Sequence, residues 1–429
     1  MKFPARRTNR RGERGQILVF LAVILPVLVL FAALAIDVGF AYVTKAKLSK
    51  AVDAACLTGM RNLAQGQETA KTLAQNSFNA NYGTSGIDAN PPDVNISFST
   101  NAAGQTQINI NATATIKTFF MGYFPQWSTI QVKDSAQAQR GKLIMSVVLD
   151  RSGSMNNNGG AAALPPAVTS FVNYFDNAND EVAMVSFASN ATADVPINTN
   201  FITPITNAVK AMQFGGATFG PGGLALAKAQ NDSVPIQPGQ NPSRVVVYFT
   251  DGYANTIQDT FNCTSTLGPT LYNYGGYDSG STFDFFNPVD GSSWEPSGNH
   301  GLDSSGYPPH EPPPDCTGVT KFISQINGQP TTFSRANITA DAKYRSLQTA
   351  NAMRAENPPT YIYAIGLGKS VDQAFLQQIA NDPASATYDS SQPQGLAVFV
   401  PDCPSAACTA DLQQVFQTIA AKILLRLTQ

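Results

Sequence analysis

Three short clusters of hydroxyl and carboxylate residues stand out in a chain of 429 residues, only 13% of which are charged. The first, Asp150-Arg-Ser152-Gly-Ser154, follows the apolar run 143–149. The second, Gly215-Gly-Ala-Thr218, opens a segment with helical spacing. The third, Thr250-Asp251-Gly252, follows a second apolar run that starts after Arg244. Together Asp150, Ser152, Ser154, Thr218 and Asp251 make an all-oxygen donor set. Such a set suits Mg2+, which takes six near-octahedral oxygens and keeps some waters, with Mn2+ or Ca2+ as alternatives. Two of the clusters end buried strands, and ligands of open α/β sheets bind outside the carboxyl ends of strands. A strand-ending turn is the plainer account of one such cluster, because Asp and Ser are common in turns. Three clusters in succession weigh against it.

Other chemistries find less support. Gly366-Leu-Gly-Lys-Ser370 resembles a phosphate loop, but that motif needs a glycine where Tyr363 stands. The only histidines are His300 and His310, and no serine lies in a nucleophile elbow. A Ser/His/Asp triad and a His-rich zinc site are therefore not expected. A metal-activated water would need a nearby general base, which the histidines do not offer. The expectation is a binding protein and no enzyme.

The elements that position these residues alternate between strand and helix. Short apolar runs begin at Leu143, Glu181, Arg244 and Tyr361. Helical spacing recurs over 167–175, 205–212, 224–230, 340–355, 374–380 and 412–427. This pattern predicts an α/β fold, a doubly wound and mostly parallel sheet covered on both faces. It is interrupted at 256–320 by a segment rich in Gly, Pro, Ser, Asp and aromatics. From Val245 to Thr320 there is no Lys or Arg, yet there are nine acids, Asp251 included. The segment reads as an insertion on the metal face, either a solvated loop or a recognition lid.

The N-terminal part has another character. Residues 1–14 hold Lys2, Arg6, Arg7, Arg10, Arg11 and Arg14 against Glu13. The rest carries 21 basic and 28 acidic residues, which argues against nucleic acid as a partner. Residues 17–36 are twenty uncharged residues. As a helix they span ~30 Å, the thickness of a bilayer core. A cleaved signal peptide is the alternative, since Ala33-Leu34-Ala35 has its small-x-small pattern. The basic tail places the N-terminus in the cytoplasm and residues 38–429 outside. Asp37 ends the span as an interfacial residue. Leu48, Val52, Cys56, Met60 and Leu63 then continue the helix to about Ala64. From Gly66 the texture changes to alternating strands at 94–99, 107–116 and 130–133, with a turn at Asn101-Ala-Ala-Gly104.

Residues 10–59 resemble the N-terminal module of the TadE/TadG-like proteins of Tad (Flp) pilus systems. The likeness rests on the basic-Gly start, the mid-span Pro26, Asp37-Val38-Gly39, and Leu48 followed by Val52-Asp53-Ala54-Ala55. Gln16 and Cys56 depart from the small apolar residues usual there. The larger, TadG-like members carry a von Willebrand factor A (VWA) domain, and the three oxygen clusters resemble its metal-ion-dependent adhesion site (MIDAS). The resemblance implies a Rossmann-like VWA fold. It implies that Ser152 and Ser154 ligate the ion directly, Thr218 directly or through water, and Asp150 and Asp251 mainly through water. An ion so held keeps positive charge and accepts a carboxylate from a protein partner.

The expected order is thus a cytoplasmic tail (1–16), a transmembrane helix (17–36), its continuation (37–66), a small pilin-like β-rich region (67–140) and a VWA domain (141–429). The setting is the bacterial inner membrane, single-pass, with the bulk in the periplasm or exposed outside. The role is docking of a pilus or envelope component; the alternative is a surface adhesin for an external ligand. Five cysteines fit an oxidising exterior. The spacing of Cys263, Cys316, Cys403 and Cys408 suggests Cys263–Cys316 and Cys403–Cys408, out of three formal pairings, and leaves Cys56 as a small buried residue.

Overall fold

The structure is a computed structural model. It describes residues 14–83, 88–101, 105–238, 240–261, 270–276, 283–286, 321–401 and 407–427. The chain divides into two compact units, one of residues 1–100 and 106–139, the other of 101–105 and 140–429.

In the first unit, helix α1 (Arg14–Arg61) runs 48 residues through Pro26. Large apolar side chains from Leu18 to Leu34 are exposed, and the helix is long and apolar enough to cross a membrane. Farther along, Leu48, Val52, Cys56 and Met60 are buried at every fourth position, one stripe of the helix. A 3-10 turn at Leu63–Gln65 leads into α2 (Gln67–Tyr82). From Gly66 onward, where the sequence predicts a β-rich region, the structure places a helix first. Its buried residues are Ala70, Ala74, Phe78 and Tyr82, so the first two turns show only alanine on the inner face. Strands β1 (Asp93–Thr100), β2 (Thr106–Lys117) and β3 (Thr129–Gln139) follow, in the order β1-β2-β3. Both pairings are antiparallel, with Asn111 opposite Asn95 on one side and Ser135 on the other. Ile108, Ile110, Ala112 and Ala114 alternate onto the buried face and pack with the α1 stripe in one core. Burial, with the nearby Asp53 charge, pushes the Cys56 thiol up to about 11. Cys56 is accordingly a packing residue and a poor nucleophile.

The second unit opens with β4 (Leu143–Asp150), buried at all eight positions. Helices α3 (Ser154–Asn157) and α4 (Gly160–Val172) follow, then β5 (Glu181–Phe187), β6 (Ala191–Asn198), α5 (Ile202–Ala211), α6 (Gly220–Asp232) and β7 (Ser243–Thr250). The inserted segment contributes β8 (Thr256–Phe261), β9 (Thr270–Gly276) and β10 (Phe283–Phe286), an antiparallel sheet where the sequence showed no period. A two-stranded ribbon, β11 (Lys321–Ile323) and β12 (Pro330–Thr332), leads to α7 (Arg335–Arg354), β13 (Thr360–Leu367), α8 (Gln373–Ala380), β14 (Leu396–Val400) and α9 (Ala407–Leu427).

The main sheet has the order β14-β13-β7-β4-β5-β6. Its pairings are parallel except the edge pair β5–β6. Alternation of side chains across the pleat sends Leu143, Met145, Val147 and Leu149 to one face, against Phe171 of α4 and Phe416 of α9. Val148, Val185, Val246 and Tyr248 go to the other, against Leu224 of α6, Ala350 of α7 and Phe375 of α8. Helices on both faces and a buried parallel centre are the doubly wound arrangement expected.

A buried ion pair holds the start of β4. Arg140 and Asp180 are 5% and 0% exposed and meet in two hydrogen bonds of 2.7 and 2.6 Å. Asp180 also accepts the N–H of Leu143 at 3.2 Å and of Asp176 at 2.9 Å. Removing one member leaves the other charge buried and alone, at a cost of about 3–5 kcal/mol. Asp180→Ala should therefore lower Tm by on the order of 10 °C for a unit of this size, read by thermal melting. An unchanged Tm would contradict the pair's structural role.

Candidate metal centre

β4 and β7 are parallel neighbours and end in Asp150 and Thr250. That register brings the first and third oxygen clusters to the same edge of the sheet. Asp150 is fully buried. Its Oδ1 accepts the N–H of Ser152 at 2.8 Å and its Oδ2 accepts the Thr250 hydroxyl at 2.6 Å. The Ser152 and Ser154 hydroxyls lie 3.0 Å apart. Ser154 Oγ donates to Asp251 Oδ1 at 2.7 Å, and Asn158 Nδ2 donates to Asp251 Oδ2 at 2.7 Å.

Thr218 joins through its loop. Gly153 N donates to Gly216 O at 3.0 Å, and Gly215 N to Arg151 O at 2.9 Å, which zips the first cluster to the second. Gly216 has φ +82, and a Cβ there would lie 2.6 Å from Ser189 Oγ, so this corner requires glycine. Ser189 Oγ in turn accepts the N–H of Ala217 at 3.1 Å. Asn255 Oδ1 accepts the N–H of Thr218 at 2.8 Å. Ser154, Thr218 and Asp251 then line one cavity of about 860 Å³ together with Asn158, Tyr253, Asn255, Arg335 and Lys369.

All five residues singled out in the sequence thus lie in one bonded neighbourhood. Three partners were not singled out: Thr250 as donor to Asp150, Asn158 as donor to Asp251, and Asn255 as the acceptor that orients Thr218. Thr250 stands inside a quoted motif. Asn158 and Asn255 lie in loops rich in Asn, where one side chain is not told from another by spacing.

Burial and mutual repulsion shape the electrostatics of the two carboxyls. Burial pushes the Asp150 carboxyl up, and the hydrogen bonds from Ser152 and Thr250 pull it only partly back. Burial and the charge of Asp150 push Asp251 up to about 7. Two carboxylates held this way repel, and a divalent cation among three hydroxyls would offset them. The donors are all oxygen, which fits a hard cation. Among the described residues no group of three or more His, Cys, Asp or Glu side chains could hold a metal ion; this neighbourhood has two carboxylates, and its other side-chain oxygens include the Ser152, Ser154 and Thr250 hydroxyls.

The inserted segment begins beside the centre, since Tyr253 and Asn255 line the cavity. Arg345 ties its first strand down, donating to Gln258 O at 2.6 Å. Cys263, Cys316 and Cys403 lie outside the described residues, as do the side chain of Cys408 and most of the proposed lid, so neither disulfide is placed. Gly366 ends in a tight packing contact. A Cβ there would come within 2.7 Å of Val371 and 2.9 Å of Phe399, which gives the phosphate-loop lookalike a packing role.

Residues 145–254 match the family model of the von Willebrand factor type A domain, the class that this sheet and its strand-end loops define. Residues 15–62 match the Flp pilus-assembly TadE/G-like family. The chain therefore joins a TadE/G-like segment to a VWA domain, as the sequence resemblance implied. No curated protein matches it. Among solved structures it is similar to the PilB minor pilin of Streptococcus sanguinis, at 14% identity over 81% of each chain and a TM-score of 0.40. It is similar to the vWF domain of the type V pili tip protein Mfa5 of Porphyromonas gingivalis, at 15% identity over 68% of this chain and 97% of that one, TM-score 0.39. A third is proximal thread matrix protein 1 of the mussel byssus with a zinc-occupied MIDAS motif, at 14% identity over 66% of this chain and 46% of that one, TM-score 0.35.

Binding to the native state raises stability by mass action, ~2.7 kcal/mol at a hundredfold excess over Kd. Excess Mg2+ should raise the Tm of the full chain in detergent and leave Ser152→Ala unmoved. An equal rise in both would remove Ser152 from the site. The raised Asp251 sets the sign of the pH effect. In the ion-free protein the folded state holds a proton that the unfolded state has lost, between the ordinary carboxylate range and about 7. Stability in EDTA should fall as pH rises through that window.

Proposed function

We propose that this chain is a membrane-anchored, extracytoplasmic interaction protein of a Tad-type pilus or its envelope machinery. It binds Mg2+ at Asp150, Ser152, Ser154, Thr218 and Asp251, and docks a protein partner that presents a carboxylate to the site. The observation that carries this reading is the pair of buried carboxylates flanked by Ser152 and Ser154, with Ser154 and Asp251 lining a cavity of about 860 Å³. Asp150 and Asp251 hold the negative charge, Ser152, Ser154 and Thr218 supply neutral oxygens, and Asn158 keeps Asp251 turned inward. An ion so held supplies a Lewis-acid position for one outside oxygen ligand.

The cavity walls support an acidic visitor. Arg335 and Lys369 line it together with Asp251, and basic side chains in a cleft wall favour a carboxylate there. Binding rather than catalysis is supported by the placement of His300 and His310 in the inserted segment. Membrane placement is supported by the apolar first half of α1. The excess of Arg and Lys in residues 1–14 favours a cytoplasmic N-terminus.

The test is affinity capture from detergent-solubilised envelopes, repeated in Mg2+ and in EDTA. A pilus or envelope component should be held in Mg2+, released by EDTA, and missed by Ser152→Ala. Capture indifferent to EDTA and to that substitution would contradict a metal-borne contact.

A further inference from the structure

Between β2 and β3 the chain reads Thr118-Phe-Phe-Met-Gly-Tyr-Phe-Pro-Gln-Trp-Ser128, with five aromatics and no charge. Two short 3-10 turns, Met121–Tyr123 and Pro125–Trp127, shape it. A small unit with a closed core has no use for such a loop in water. Yet Phe119, Phe120, Phe124 and Trp127 are about half exposed and Tyr123 is 91% exposed. A patch of this kind marks a contact surface.

The height of the loop along α1 identifies what it contacts. Asp37 is the first residue after the uncharged span 17–36, and it is buried. Its Oδ1 accepts the N–H of Phe119 at 2.8 Å, and its Oδ2 accepts those of Phe120 at 3.1 Å and Met121 at 2.8 Å. The rings of Phe40 and Phe119 lie 5.2 Å apart. The loop is therefore pinned to the helix just beyond the end of the span. On the helix itself Val38, Phe40, Tyr42 and Val43 are exposed in the same zone. The next charged side chain is Lys45, paired with Asp134 at 2.8 Å. From Asp37 to Lys45 a helix rises ~12 Å, enough to cross the polar layer of one leaflet, roughly 5–8 Å.

The chemistry of the clamp suits that depth. A carboxylate at the edge of a bilayer is costly unless it is satisfied. Backbone N–H groups facing lipid are costly for the same reason. Here each satisfies the other, in charge-assisted bonds. Trp and Tyr with an apolar body and a polar tip are the side chains that settle at headgroup level.

We propose that residues 118–128 form a membrane-interface anchor. The aromatic side chains sit at the headgroup–acyl boundary of the leaflet where the span ends, and Asp37 is the residue that positions the loop. The occupant is lipid, because the patch is continuous with the apolar face of α1. The proposal is independent of the metal centre and rests on residues 17–36 spanning the bilayer.

The chain has two tryptophans, Trp127 and Trp294, so Trp294→Phe leaves one reporter in the loop. The full chain would be reconstituted into phosphatidylcholine–phosphatidylglycerol vesicles and floated after a carbonate wash. Emission of Trp127 would then be read with lipids brominated near the headgroup end or near the methyl end of the acyl chain, and with aqueous iodide. The expected result is loss of most of the emission with the shallow bromines, little loss with the deep ones, and shielding from iodide. Adding Asp37→Ala should weaken the shallow quenching and open Trp127 to iodide. Quenching by iodide without quenching by bromine in a chain that floats would overturn the proposal alone. Shielding from both would mean that protein covers the loop, and would also overturn it. Quenching unmoved by Asp37→Ala would remove the clamp. A chain that fails to float would overturn the span and the anchor together.

Discussion

Two carboxylates buried side by side are the constraint on which the second unit turns. Asp150 ends one parallel strand, and Asp251 follows directly on the end of its neighbour. The charge on the first raises the second. Around them the chain has arranged donors: Thr250 and the Ser152 N–H on Asp150, Ser154 and Asn158 on Asp251. Hydrogen bonds spread the charge but do not cancel it. A divalent cation would cancel it, and the neighbouring Ser152 and Ser154 hydroxyls would offer that cation further oxygens.

The sheet exists in the form this constraint needs. Parallel strands buried on both faces, such as β4 with eight of eight residues buried, leave only their ends for polar groups. Some polar side-chain atoms inside lack a partner, the Thr360 hydroxyl of β13 among them, and others are answered. Ser146, for example, donates to Asn231 Oδ1 at 2.8 Å while Asn231 holds Val245 O at 3.0 Å. The glycine corner at Gly216 lets the Thr218 loop close over the strand ends. The loops that carry function are thus placed by a rigid frame, whereas the frame itself carries no chemistry.

Most of this was legible because it follows from strong local patterns. Continuous apolar runs announced β4, β5, β7 and β13, and the Asp-x-Ser-x-Ser, Thr and Asp-Gly clusters announced residues that the structure brings together at the strand ends. The misses share a physical cause. Helix α2 shows alanine on its inner face where leucine would have revealed it, so its period was faint. Edge strand β6 alternates half-buried and exposed residues with no apolar run, and β14 is short and only partly buried. The sequence marks Asp37 only as an interfacial residue, since its three backbone partners lie more than eighty positions away. No spacing rule reaches that far; only the pairing of β2 with β3 brings them together.

The central claim, that a divalent cation balances the buried carboxylates, is tested most directly by calorimetric titration of Mg2+ into the EDTA-treated, dialysed full chain at pH 7 in two buffers of different ionisation enthalpy. Asp251, pushed up to about 7 without the ion, is part-protonated at that pH and must give up its proton when the ion arrives. The account predicts binding with net proton release at pH 7 that vanishes at pH 9. Binding without proton release at pH 7, or no binding at either pH, would contradict it.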